Sequence, residues 1–183
     1  MELYLITHNK NKIKEFKLLL EPEFKIDVLE FDYPELRSDD SEEIVKLAAK
    51  QLADKLNKTV IVEDSGFFIK ALNGFPGTCT AYIYQRIGNK GFLKLMKGVK
   101  KRAVYYKSAI GFCQAGKEAI SFFGVEEGTL ALKEKGKKGW GQDPIFIPKG
   151  KKKTYGQLRT ANDVNLFRKR AIIKLKEFLE NNF

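Results

Sequence analysis

The chain has little of several residues that commonly build reactive centres: one histidine, one tryptophan, two methionines and two cysteines in 183 residues. A single histidine excludes a centre made of several imidazoles. His8 also lacks a paired orienting group, so it reads as a bystander rather than an acid–base catalyst. Cys79 and Cys113 stand in unrelated contexts without metal-ligand spacing, which argues against a thiolate metal site and for two reduced, structural thiols. No uninterrupted apolar run approaches the length that crosses a bilayer, and the first residues read as a strand leading into charges rather than a signal peptide. A cytoplasmic location is the expectation. No repeat period appears, and low complexity is confined to the basic run Lys149–Lys153.

What the chain does have is enough apolar residue, 43%, to bury one sizeable core, and nothing inside it reads as a long linker. A single domain over residues 1–183 is expected. Basic residues outnumber acidic ones for a net charge of +11, which suits either a nucleic-acid-binding module or an enzyme for highly charged phosphate substrates. The lysines are scattered and no recognised nucleic-acid motif accompanies them, so specific nucleic-acid binding is not expected.

Hydrophobic periodicity gives a mixed α/β pattern. Leu3–Ile6 reads as a strand, followed by a helix with Ile13, Phe16, Leu19 and Leu20 on one face. A second strand is expected over 24–31. A helix then runs from a cap among residues 38–41 to Leu56, with Ile44, Leu47, Ala48, Leu52 and Leu56 inward. The strongest strand signal, Lys58–Val62, leads to Glu63-Asp64-Ser65-Gly66, and residues 67–72 continue as strand. Two short helices follow near 80–86 and 90–97, then an antiparallel pair over 103–113 and 119–125. A closing helix begins near Asn162.

Three segments carry chemistry. Charged residues at the C-terminal edge of a buried strand are too costly to keep for packing alone. Asp64 and Ser65 there offer hard oxygen ligands suited to magnesium and phosphate-bound water; the plain alternative is a strand ending in an Asp/Ser/Gly turn. At the first strand-to-helix junction, Thr7, Asn9 and Lys12 add hydroxyl, amide and ammonium donors to helix-start N–H groups that attract anions. This loop lacks the glycines of a Walker motif. In the third segment, Gly139 and Gly141 flank Trp140, and Gln142-Asp143-Pro144 leads into a short apolar strand. The indole offers a flat face for a base, though a lone tryptophan is more commonly core.

Together, Thr7-x-Asn9-x-x-Lys12, the block from Glu63-Asp64-Ser65-Gly66 to Gly74-Phe-Pro76-Gly77, and Trp140-Gly-Gln-Asp143-Pro resemble the inosine triphosphate pyrophosphatase family. The resemblance runs along nearly the whole chain. It implies a long, twisted mixed β-sheet with flanking helices, two lobes around a nucleotide cleft, and a homodimer. The implied activity is magnesium-dependent hydrolysis of non-canonical purine nucleoside triphosphates (ITP, dITP, XTP) to the monophosphate and pyrophosphate. By the same resemblance, Asp64 is the catalytic acid that helps hold the metal and activates water, and Glu35 also serves the metal. Lys12 pairs with phosphates, Thr7 and Asn9 shape the loop around them, Ser65 donates to a phosphate oxygen, and Trp140 stacks on the purine, with Gly141, Gln142 and Asp143 also binding substrate.

The match departs at the last helix. Family members typically carry Ser-His-Arg there, preceded by a lysine, to read the 6-keto edge of the base. Here the stretch is Asn165-Leu166-Phe167-Arg168, the lysine position falls on Asn162 or Asp163, and only the arginine is kept. Arg168 either contributes a donor to the base or is the solvated flank of a helix. A nearer alternative, a Maf-like pyrophosphatase of different base specificity, is disfavoured by the Glu63–Gly66 and Gly74–Gly77 blocks.

Overall fold

The computed structural model describes residues 2–33, 36–160 and 163–183. Glu35 and Asn162, both singled out above, lie outside the described residues.

The elements run β1 (Leu3–Ile6), α1 (Lys10–Leu20), β2 (Ile26–Leu29), α2 (Ser41–Leu56), β3 (Val60–Ile69), β4 (Pro76–Gly77), α3 (Thr80–Leu95), β5 (Ala103–Cys113), β6 (Ile120–Leu130), β7 (Phe146–Pro148), α4 (Tyr155–Leu158) and α5 (Leu166–Asn182). The seven strands form one mixed sheet in the order β2-β1-β3-β5-β6-β7, with β4 on β3. β1 runs parallel to both β2 and β3, whereas β3–β4 and β6–β7 are antiparallel. The expected α/β class with helices flanking a mixed sheet is what the chain adopts.

The chain divides into two compact units. The first comprises Met1–Ser65, Ser108–Val125 and Val164–Phe183. Strand alternation sorts its core into two layers. Leu3, Leu5 and Ile61 pack with Phe16 and Leu20 of α1 and Ile172 and Leu175 of α5. Ile6, Val60 and Val62 pack with Val45, Ala49 and Leu52 of α2. The second unit comprises Gly66–Lys107 and Glu126–Asp163. Its centre is aromatic: Phe67 lies 4.9 Å from Tyr106, and Phe146 sits 4.8 Å from Tyr106 in an edge-on contact.

Several elements differ from the sequence reading. β3 does not end at Glu63-Asp64 but continues unbroken to Ile69. Gly66 permits this, because a Cβ there would meet the Gly77 carbonyl oxygen at 2.4 Å and block the β3–β4 pairing. The turn alternative for Asp64-Ser65-Gly66 is thereby excluded. In α2 the inward stripe contains Val45, Ala49 and Ala53, while Leu47 is exposed. The two short helices expected near 80–86 and 90–97 are present, meeting within α3 at Gly88, whose φ of 56° and ψ of −170° suit only glycine. β6 extends five residues further than expected, to Leu130, and α5 starts at Leu166 rather than near Asn162.

Candidate active site

The opening loop is built by its own side chains. Asn9 caps α1, its Oδ1 accepting from the backbone N–H of Asn11 at 3.0 Å and of Lys12 at 3.2 Å. Thr7 Oγ1 accepts from the Asn9 N–H at 3.1 Å. Both therefore shape the loop. His8 is half-exposed and lies 3.0 Å from Asp32 and 3.7 Å from Glu30, on the surface.

Lys12 reaches across to β3. Its ammonium donates to the Glu63 carbonyl at 2.7 Å and meets the Glu63 carboxylate at 2.8 Å. An ammonium has three donors, so these contacts leave one uncommitted among the described residues. Glu63 is wholly buried and also accepts from Ser108 Oγ at 2.5 Å and from Arg168 Nε at 3.1 Å. Burial pushes its carboxyl upward, but the Arg168 guanidinium and the Lys12 ammonium outweigh this and hold it at about 2.

Arg168 is closed to solvent. Besides Glu63, it donates through Nη1 to Glu15 at 2.6 Å and through Nη2 to Ser65 Oγ at 3.2 Å. Glu15 also accepts from the Asn165 side-chain amide at 2.6 Å. The reading of Arg168 as a solvated helix flank is overturned: the first turn of α5 faces inward at Phe167 and Arg168 and outward at Leu166. Two carboxylates and two cations cancel within this cluster. Its physical effect is to fix Lys12 and Ser65 rather than to supply net positive charge.

Ser65 thus joins Lys12 and Arg168 on one face of β3. Alternation sends Asp64 to the other face, shared with Val60 and Val62. Tyr33 packs against the core layer containing those valines. Asp64 itself is half-buried.

In the second unit, Trp140 is 45% exposed, which places its indole outside the core. The turn beneath it is held by several contacts. Gly139 and Gly141 have positive φ, and a Cβ on Gly139 would strike the Asp143 carboxylate. Asp143 accepts from the Trp140 backbone N–H at 3.0 Å and pairs with Arg159 at 2.8 Å, both side chains buried. Gln142 is buried beside the Tyr106 hydroxyl, 3.4 Å away, and the Gly141 carbonyl accepts from Asn89 at 3.0 Å. Gln142 and Asp143 accordingly hold the turn that presents the indole.

Sequence reasoning missed Glu15, Ser108 and Asn165. Glu15 had a signal: it lies three residues after Lys12 and next to Phe16 on the inward stripe of α1, where a carboxylate demands a partner. Ser108 and Asn165 carried none.

The sequence matches the Ham1 family over residues 3–178. This chain belongs to that family. A dITP/XTP pyrophosphatase of Methanopyrus kandleri is 39% identical over 184 residues, covering 100% of this chain and 98% of that protein. Another dITP/XTP pyrophosphatase, from Methanosarcina acetivorans, is 42% identical and covers 98% of this chain and 96% of its own length. The solved structure of the Staphylococcus aureus Ham1 protein superposes with a TM-score of 0.88 at 30% identity over the whole of both chains.

Proposed function

We propose that this Ham1 protein hydrolyses non-canonical purine nucleoside triphosphates, ITP, dITP and XTP, to the monophosphate and pyrophosphate. Its relatives named dITP/XTP pyrophosphatases match it along its full length, which supports the substrate class. The observation that carries the reading is that Lys12, from the opening loop, is fixed on the strand that bears Asp64 and Ser65, 51 residues away from Glu63 in sequence. Two segments singled out for phosphate chemistry are thus tied by a buried ion pair.

In this reading the uncommitted Lys12 donor takes a phosphate oxygen, within a loop whose shape Thr7 and Asn9 set. Ser65 donates its hydroxyl proton to a second phosphate oxygen while its Oγ accepts from Arg168. Arg168 is closed to solvent, so its part in this reading is to hold Ser65 and Glu63 rather than to donate to the base. Asp64 orients and deprotonates the attacking water. Trp140 covers the purine face, on the turn held by Gly141, Gln142 and Asp143.

Magnesium takes one or two protein carboxylates and fills its shell with water and phosphate oxygens. Asp64 fits such a shell, and Glu35, which lies outside the described residues, joins it in this reading through the family resemblance alone. Among the described residues no three acidic, histidine or cysteine side chains converge. Such an ion, when bound, offsets phosphate charge and polarises the reacting phosphoryl group. The reading also includes one catalytic domain over residues 1–183, a homodimer and a cytoplasmic location; sedimentation of the purified protein tests the dimer.

The deciding experiment incubates the protein with ITP, dITP, XTP, ATP, GTP, CTP and UTP plus magnesium and identifies the products. Inosine and xanthosine monophosphates with pyrophosphate are expected. Diphosphate plus orthophosphate, or turnover confined to pyrimidines, would reject the reading. Steeply salt-dependent polynucleotide binding without turnover would favour the nucleic-acid alternative instead.

A further inference from the structure

The second unit contains a depression of about 770 Å³ whose rim carries Lys90, Lys94, Lys97 and Lys100. Lys90 and Lys94 lie one turn apart on α3, and the other two follow in the turn that ends it. None of the four has an acidic partner among the described residues, and all are exposed. The sequence shows why: residues 66–107 contain nine lysines and arginines and no aspartate or glutamate. A helix C-terminus accommodates a lysine in its last turn, which accounts for Lys94 but not for four cations around one hollow.

The floor and far wall are apolar, formed by Leu93, Met96, Val99 and Leu132. Leu132 is 82% exposed and Met96 wholly buried. Arg102 fixes this shape. It donates to the carbonyl oxygens of Met96 at 2.9 Å, Leu130 at 2.8 Å and Ala131 at 2.8 Å, lacing the turn after α3 to the end of β6. Arg102 is thus committed to backbone, and the four lysines are left to face whatever enters. The hollow is open to solvent and sets apolar residues beside charged ones, the combination that suits a ligand with both an apolar part and anionic groups.

We propose that this pocket binds an organic polyphosphate, its run of phosphates on the four lysines and its apolar body on Leu93, Val99 and Leu132. A triphosphate carries about four negative charges, which the rim matches in number. The site is separate from the residues assigned to catalysis and does not depend on that assignment.

Calorimetry with a nucleoside triphosphate whose α–β bridge cannot be hydrolysed tests it. Lys94→Ser with Lys97→Ser should weaken one binding event at least tenfold while dITP turnover stays at the wild-type rate. Leu132→Ser, which keeps every charge, should weaken the same event. Lys12 and Asp64 variants report separately on the catalytic reading. Binding curves unchanged by the lysine substitutions would overturn the proposal. So would inorganic tripolyphosphate binding there equally well and indifferent to Leu132→Ser, which would leave charge alone at work. Lysine-dependent capture of a single-stranded oligonucleotide but not of the nucleotide would make the surface a polynucleotide contact and overturn it too.

Discussion

Arg168 Nε donates to Glu63 Oε1 across 3.1 Å, and neither side chain is more than 1% exposed. With Glu15 and Lys12 this makes a closed, neutral cluster joining α1, β3 and α5. Its value to the fold lies in completeness, since removing one member strands a buried charge.

Arg168→Leu should therefore cost on the order of 3–5 kcal/mol of stability, the range for breaking a buried pair from one side. Urea unfolding of the variant against the wild type measures it. A loss below about 1 kcal/mol, the scale of exposed pairs, would mean that water already reaches the cluster.

Acid should act through the same group. Glu63 is held at about 2, below its ordinary 4.5. A lowered folded-state value gives stability that is complete above about pH 4.5 and lost as pH falls towards 2, a contribution on the order of 3 kcal/mol. Thermal melts across this window should show a steep acid limb in the wild type and a shallower one in Glu63→Gln, on a lower baseline. Parallel limbs would assign the acid sensitivity to other carboxylates.

Asp64→Asn should keep the fold and lose about a hundredfold or more in turnover, the scale for removing a general base or metal ligand. Steady-state rates with dITP and magnesium, alongside the melting temperature, separate the two effects. Near-normal turnover would remove Asp64 from the chemistry.

Trp140→Ala should barely move stability, because the indole is half outside. Nucleotide affinity should fall by roughly 1–3 kcal/mol, the cost of a lost base–aromatic stack. As the sole tryptophan it also supplies the signal: its fluorescence should change when a purine nucleotide binds. A flat titration while calorimetry registers binding would assign the base to another residue.

Selectivity offers a further measurement. Leu166 and Phe167 cannot donate through their side chains, and Phe167 is buried, so neither reads a keto edge. The preference for ITP over ATP should be modest, on the order of a hundredfold rather than the larger ratios of fully paired polar sites. Complete rejection of ATP in parallel kcat/KM measurements would show that other groups read the base.

What the sequence made legible follows local physics. β1, α1 and α2 could be read because their apolar spacing is set within a turn or two, and the Asn9 and Asp40 caps sit where a polar residue precedes an apolar stripe. Misreadings arose where distant chain decides. Strand β3 continues through two acids because Lys12 and Arg168 neutralise Glu63 and because β4 covers Gly66, neither visible from residues 60–69 alone. The inward turn of Arg168 depends on Glu15, 153 residues away. Trp140, by contrast, was marked by its flanking glycines, whose positive φ makes the turn that leaves the indole outside.

The break in α3 at Gly88 has a bearing on how this protein could diverge. The very next residue, Asn89, donates to the Gly141 carbonyl beneath Trp140. A side chain at residue 88 would meet open space, so any penalty there is one of backbone conformation alone. A replacement that straightened the helix would withdraw Asn89 and slacken the turn holding the indole. In the proposed reading, where Trp140 stacks on the base, purine preference then has a route for evolutionary drift through Gly88 that leaves Trp140 itself unreplaced.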